Sequence, residues 1–321
     1  MYGGEGRMRR EDGMIGIESR KRGAIWAAFV GDALCLGTHW IYDLDERARL
    51  FPQPHGFEHP QPGHYHAARQ PGQQTHYGDA ALLLLETIAK QGRFDPAVFT
   101  ERFRAVFSRY DGYIDHATRE TLANLERGLD PPGADDAQMA TVTRLAPLVV
   151  AHLEDPALLE HLERLTRVTQ NRDDAVAYAR AAAIVLRELL RGSEIEPALE
   201  AARRDALETA PYVAQAIEAA RARREQDVRD ATLHFGQACP LAQSFPATVH
   251  ALLRHGDDLP RALIETLRAG GDNAGRAALL GAWLGAHLGV EAVPRAWTDR
   301  LAAHDRIAAA LQRLVGTPSA A

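Results

Sequence analysis

The sequence predicts an all-α protein folded as a single domain, a helical bundle. Three observations carry that reading. Apolar residues recur at helical spacings of three and four through successive segments. No stretch keeps the alternation of apolar and polar residues that a half-buried strand needs. No linker rich in proline, glycine or serine and no internal repeat divides the 321 residues, a length that can bury a large core.

At 46% hydrophobic and 25% charged, the chain has the composition of an ordinary globular protein. Its formal net charge of −6 gives no basic footprint for nucleic acid. Two cysteines, Cys35 and Cys239, make neither a disulfide framework nor a zinc site and are expected as buried free thiols. The opening MYGGEGRMRREDGMIGIESR lacks the apolar core of a signal peptide, and Met8 and Met14 offer later starts. The chain is therefore expected to have a disordered leader at 1–20, a folded domain at 21–315 and a frayed tail at 316–321, in a cytoplasmic protein.

The first core helix is RGAIWAAFVGDALCL at 22–36, with small residues Ala24, Ala28 and Gly31 suited to close packing. Asp32 sits among its apolar residues, and a buried carboxylate is costly unless paired or hydrogen-bonded. A structural acid at the helix end and a functional one are equally good accounts of it. THWIYD follows, and its His39, Trp40, Tyr42 and Asp43 suit a site wall, with aromatic packing as the plainer account. The irregular stretch 51–74 is long enough to be a lid or binding loop. Its His55, His59, His64 and His66 fit no compact zinc spacing and are expected in solvent.

THYGDAALLLLE at 75–86 turns that loop into a helix, with Gly78 at the turn and Asp79 capping or opening the helix. Thr75, His76, Tyr77 and Asp79 are thereby offered at a helix start, where anions are favoured. Helices are expected next at 96–110, 116–128 and 137–153. Tyr113 and Asp115 stand at the second of these entries, Asp115 with an i,i+4 partner in Arg119. Further helices are expected at 157–169, 173–191, 194–208, 211–229, 245–254 and 259–269. The mixed-sign run RARREQDVRD reads as a solvated face.

The segment 270–289, GGDNAGRAALLGAWLGAHLG, is expected to be the central helix. Ala274, Ala278, Gly281, Gly285 and Gly289 form a stripe along one face. Interior glycine costs about 1 kcal/mol against alanine, which is tolerated where another backbone approaches closely. Its uncharged run is too short to span a membrane and contains His287. Asp272 stands at the N-cap with Asn273 beside it, and Arg276 lies one turn on. A last helix at 297–314 closes the chain.

In their order, these segments resemble the ADP-ribosylglycohydrolase family from about residue 22 to about 301. GAIWAAFVGDALCLG is similar to the family's opening segment, TRVTQNRDDAVAYARAAAIVLREL to its middle helix, SFPATVHALL to its Ser-Phe-Pro segment and GGDNAGRAALLGAWLGA to its last motif. THWIYD, THYGD and RYDGYIDHATRETLANL resemble the crystallin-J branch in particular. The resemblance implies an all-α orthogonal helical bundle of that type. It also implies a reaction in which two Mg²⁺ or Mn²⁺ ions assist cleavage of the bond between ADP-ribose and an acceptor. The family's early Thr-Asp-Asp is here Thr75, His76 and Tyr77, and its late Asp-x-Asp-Thr keeps only Asp272, with Ala274 and Gly275 replacing the second aspartate and the threonine.

Divalent ions of this kind want several hard oxygen ligands. The expectation is therefore at most one Mg²⁺ or Mn²⁺, held weakly by Thr75 and Asp272 with help from Asp79, His76 or Asp32. The expected function is hydrolysis of an N- or O-glycosidic bond in an ADP-ribose-type ligand. Asp79, Asp272, His76 and Tyr77 are its catalytic candidates. Asp32, His39, Asp43, Tyr113, Asp115, Asn273 and Arg276 are its ligand-binding candidates. Two alternatives stand beside it: a catalytically silent binding or crystallin-like structural protein, and a changed reaction on another small ligand. The expected partner is a small-molecule or ADP-ribosylated ligand, with no nucleic acid and no membrane; the oligomeric state is not legible.

Overall fold

The computed structural model describes residues 15–316; the expected leader and tail lie almost wholly outside them. The chain runs through α1 (Ile17–Cys35), α2 (Leu44–Leu50), α3 (His76–Gln91), α4 (Pro96–Phe107), α5 (His116–Glu126) and α6 (Leu145–Ala151). It continues through α7 (Leu158–Thr169), α8 (Asp173–Leu190), α9 (Ile195–Thr209), α10 (Pro211–Arg221) and α11 (Val228–Phe235). α12 (Leu241–Arg254), α13 (Leu259–Arg268), α14 (Asn273–Leu288), α15 (Arg295–Thr298) and α16 (His304–Val315) complete it. Among the described residues there is no strand, only isolated bridges such as Ile41 with Gly271. No helix of these residues is long and apolar enough to cross a membrane.

The small-residue stripes explain the centre. α1 and α14 pack backbone against backbone. A Cβ added to Gly31 would stand 2.2 Å from the Ala277 carbonyl oxygen, and one added to Gly281 would stand 2.2 Å from that of Ala27. Gly23 and Gly285 face each other in the same way, at 2.2 and 2.1 Å. The other side of α14 carries Trp283, fully buried, whose indole N–H donates to the Ala182 carbonyl of α8 at 3.1 Å. α14 is buried from Asn273 to Ala286, so its N-terminus opens inside the molecule.

Several boundaries differ from the sequence reading. α1 begins at Ile17, ahead of the expected domain start at 21. Thr75, not Asp79, caps α3, its hydroxyl accepting from the Tyr77 N–H at 3.2 Å; Gly78 lies inside the first turn. The expected helix 137–153 is a 3₁₀ segment, Met139–Arg144, followed by α6, because Pro147 is tolerated only near a helix start. The expected helix 211–229 breaks into α10 and α11 at the solvated charged run. The closing helix breaks at residues 299–303, where the Ala302 N–H donates to the Gly72 carbonyl at 2.8 Å and ties the long loop to the body.

That loop is a packed cover rather than a free strand of chain. Phe57 is buried, its N–H donates to the Leu34 carbonyl at 2.9 Å, and the Arg300 guanidinium lies 4.4 Å from its ring centroid. The cover lies across the turn that follows α1, which brings residues 64–66 over the N-termini of α3 and α14.

Candidate functional site

Three helix starts converge here, and each brings a carboxylate. Asp32 reaches from α1 to the start of α3. Its oxygens accept from the Thr75 N–H at 2.7 Å and the Thr75 hydroxyl at 2.5 Å. Burial pushes its carboxyl up to about 7, against the pull of those hydrogen bonds. Asp115 caps α5, accepting from the Thr118 N–H at 2.8 Å, and its other oxygen lies 3.5 Å from His76 Nε2. Burial alone would raise it; the His76 ring and the Thr118 groups outweigh that and hold the carboxyl well below the usual range. Asp272 stands at the start of α14 but makes no capping hydrogen bond.

Asp272 is the exceptional group. It is fully buried, and neither carboxylate oxygen has a hydrogen-bond partner among the described residues. His39 Nδ1 is 3.7 Å away. Burial pushes the carboxyl up to about 6, opposed by the charge of Arg276. Around it other buried atoms are also unpartnered among the described residues: His39 Nε2, His66 Nε2 and both ring nitrogens of His76. Buried polar atoms are nearly always satisfied, so such a concentration calls for ordered water or a ligand.

Aromatic rings enclose these groups. His39 stacks on Trp40 and on His66, with centroids 4.2 and 5.4 Å apart, and His66 stacks on His76 at 5.8 Å. Trp40 has φ of +63°, a left-handed conformation that bulky residues adopt only when held. Its backbone N–H donates to the Gly271 carbonyl at 2.7 Å and its indole N–H to the Cys239 sulfur at 3.1 Å. Burial pushes the Tyr77 hydroxyl well above its usual range, with Asp272 adding to the shift, so the phenol stays a donor. Behind Tyr77 and Asp115 lies the buried Arg144, bonded to the Ala140 carbonyl and the Thr169 hydroxyl with Nη1 left over.

Other candidates fall elsewhere or do other work. Asp43 is an exposed cap of α2, accepting from the Asp45 and Glu46 N–H groups at 2.8 and 3.0 Å, and is not part of the cluster. Asp79 is committed to Arg69 at 3.0 Å and the Tyr110 hydroxyl at 2.5 Å, and lines a separate 360 Å³ cavity with Glu86 and Arg306. Asn273 donates to the Thr38 hydroxyl at 2.9 Å and the Leu267 carbonyl at 3.0 Å, a clamp on the turn. Arg276 makes no close pair with Asp272; it donates to the carbonyls of Gln237 and Gly270. Arg119 donates to the Ile114 carbonyl rather than pairing with Asp115. Tyr113 is at the mouth, 5.0 Å from Trp40 between ring centroids.

The sequence reading leaves His64, Tyr65, His66, Cys239 and Arg144 out of the site. The histidines expected in solvent include His66, which is 2% exposed, and His64, whose ring meets the His39 carbonyl. The run GHYH, with three polar-tipped rings in four residues, was the available signal.

The residues do not fit the family's divalent centre. Thr75 and Asp32 satisfy each other, Asp79 is paired with Arg69, and the two residues that follow Thr75 on α3 offer an imidazole and a phenol rather than carboxylates. Among the described residues, the only three metal-type ligands that come together are His152, Asp155 and His161, away from Asp272. Hydrogen bonding accounts for that group. The Phe94 N–H donates to His152 Nε2 at 3.0 Å, which puts the ring proton on Nδ1, the atom facing Asp155 at 3.0 Å and the one a metal would need.

The comparisons agree with this architecture. A family-wide profile described as ADP-ribosylglycohydrolase matches residues 14–320. Crystallin J1A of Tripedalia cystophora is 26% identical over 305 residues, 88% of this chain and 92% of that protein. Crystallin J1B of the same animal is 24% identical over 307 residues, with the same coverage. An uncharacterized protein of Archaeoglobus fulgidus is 26% identical over 289 residues, 89% of this chain and 92% of its own. A solved structure titled ADP-ribosylglycohydrolase-related protein complex superposes with a TM-score of 0.73 at 25% identity, covering 94% of this chain and 99% of that one. With the helical order, the α1–α14 core and the profile match in agreement, the chain belongs to the ADP-ribosylglycohydrolase family.

Proposed function

We propose that the protein is a glycosidic-bond hydrolase that works without the family's two-ion centre, cleaving an N- or O-glycosidic bond of a ribosyl ligand. The ADP-ribose type is the ligand that the family description names. The observation that carries the reading is the set of buried, unpartnered polar atoms gathered around Asp272. A structural core would have filled these positions with apolar side chains, because each unsatisfied polar atom costs about 1–3 kcal/mol.

Water attacks the anomeric carbon as the bond to the leaving nitrogen or oxygen breaks. Asp272, ionised above about pH 6, takes a proton from the water. His76, whose Nε2 lies 3.5 Å from Asp115, gives a proton to the leaving atom. Exchange with solvent returns the proton from Asp272 to His76. The Tyr77 hydroxyl and the unpartnered nitrogen of His39 orient the sugar. Asp79 takes no part, since Arg69 and Tyr110 already hold its carboxylate.

The test is turnover of a panel of ribosyl substrates, an ADP-ribosylated peptide and phosphate-free nucleosides included, in excess chelator and again with Mg²⁺ or Mn²⁺. Turnover is expected in chelator, and Asp272→Asn is expected to lower it by about 10²–10⁴-fold without unfolding the protein. Full activity in that variant, or strict dependence on a divalent ion, would sink the reading. The second reading, a catalytically silent protein of the crystallin kind, is favoured by how closed the cluster is: His39, His66, His76, Tyr77 and Asp272 are each at most 4% exposed. It predicts no turnover of any panel member in either condition.

A further inference from the structure

The groups around the site also bear on the ligand's chemistry, an argument that rests on the reading just given. In an anion site the N–H groups of a helix start stand free. Here two of the three starts give an N–H to the chain's own carboxylate, and the third has a carboxylate lying against its first turn. Asp32 takes the Thr75 N–H, Asp115 takes the Thr118 N–H, and Asp272 lies against the first turn of α14, its oxygens 3.0 and 3.1 Å from where a Gly275 Cβ would be. The nearby cations are committed as well. Arg276 gives its two terminal nitrogens to backbone carbonyls, leaves only a buried Nε, and has its charge balanced by Asp272; Arg69 pairs with Asp79, and the spare nitrogen of Arg144 belongs to a guanidinium already opposed by Asp115. A diphosphate brought to this place would meet Asp115 and Asp272 without a free cation from any of these arginines, and unpaired buried charge is costly.

The mouth offers something different. Trp40, Tyr65 and Tyr113 meet pairwise edge to face, with centroids 5.1, 5.0 and 5.2 Å apart. Trp40 is held by its bond to Cys239, whereas Tyr65 is 59% exposed and can swing aside. Such rings accept a flat π system by stacking and a cation over their faces. Behind them, the unpartnered nitrogens of His39, His66 and His76 can donate to or accept from a sugar. We propose that the ligand is a phosphate-free glycoside of an uncharged or cationic flat ring, a nucleoside in type. Its ring stacks in the Trp40–Tyr65–Tyr113 mouth and its sugar points toward Asp272.

The test is calorimetric titration of the full chain with adenosine, nicotinamide riboside, AMP and ADP-ribose. At least one phosphate-free nucleoside is expected to bind, about tenfold or more tighter than AMP or ADP-ribose, because like charges brought together cost affinity. Tyr65→Ala, a change at an exposed side chain, is expected to weaken nucleoside binding by about tenfold, the worth of one stacked ring, while Tyr65→Phe keeps it. Tighter binding of AMP or ADP-ribose, no binding of either nucleoside, or equal affinity in Tyr65→Ala would overturn the proposal. If it falls while turnover persists and is abolished by Asp272→Asn, only the ligand class is wrong. If turnover survives Asp272→Asn, the reading of the site is wrong, whatever the mouth binds.

Discussion

At the scale of single residues, Asp272 ties stability to function. Its carboxyl titrates at about 6 in the folded protein against an ordinary value of 3.8, because burial disfavours the charge. The folded state therefore binds this proton more firmly than the unfolded chain does. The contribution is neutral below pH 3.8, becomes unfavourable as pH rises from there to about 6, and stays constant above. Asp272→Asn removes the charge at nearly constant shape. It is expected to stabilise the protein by about 1–3 kcal/mol at pH 7.5, with the gain shrinking to nothing near pH 4. Urea denaturation of both proteins across that range checks it, and parallel profiles would refute it. The same residue shows how far a sequence can be read. Helix-start signals point to all three of the right groups: Asp272 after paired glycines, His76 where the long loop turns into a helix, and Asp115 at the entry of the next helix but one. Helix-start rules do not say which way a second carboxylate faces, so Asp79 and Asp43 were grouped with them although Arg69 holds one and α2 the other. His66 and Cys239 reach the cluster from a long loop and a turn whose paths no local pattern encodes.

At the scale of elements, the α1–α14 pair was the most legible part of the chain. Small residues recurring on one helix face weaken the helix itself, so their presence points to a second backbone packed close against it. The structure adds the partner and the distances. Gly281→Ala would drive a Cβ to 2.2 Å from the Ala27 carbonyl oxygen, a backbone atom that cannot rotate away. A loss of about 1–3 kcal/mol or more is expected, as for other overpacked cores. Gly16→Ala, at the N-cap of α1 with nothing within 4 Å, should cost no more than about 1 kcal/mol. Chemical denaturation of the two variants side by side decides this, and equal losses would refute the packing argument. Helix breaks were less legible than helix faces. The charged run after Arg221 suits a helix as well as a turn, and the break at residues 299–303 depends on a bond to Gly72 far away in sequence.

At the scale of the whole molecule, the fold of the family surrounds a centre poor in free carboxylates. The chain matches the family over residues 14–320, yet the starts of α3 and α14 carry an imidazole, a phenol and small residues beside Thr75 and Asp272 rather than a set of carboxylates suited to paired ions. In a protein whose site holds a divalent ion, binding and folding are linked: ion at a hundredfold excess over its dissociation constant adds about 2.7 kcal/mol to stability. Here Thr75 and Asp32 satisfy each other, and the only metal-type grouping among the described residues is already explained by the Phe94 N–H. No such linkage is expected. The melting temperature should be the same in millimolar Mg²⁺, in Mn²⁺ and in chelator, and the comparison needs no knowledge of the substrate. A rise in Mn²⁺ that vanishes in Asp272→Asn would mean that the unpartnered carboxylate recruits an ion after all, and the metal-free chemistry argued from it would fall. A rise that survives in Asp272→Asn but vanishes in His161→Ala would instead move the ion to the His152–Asp155–His161 group, leaving the site at Asp272 as described.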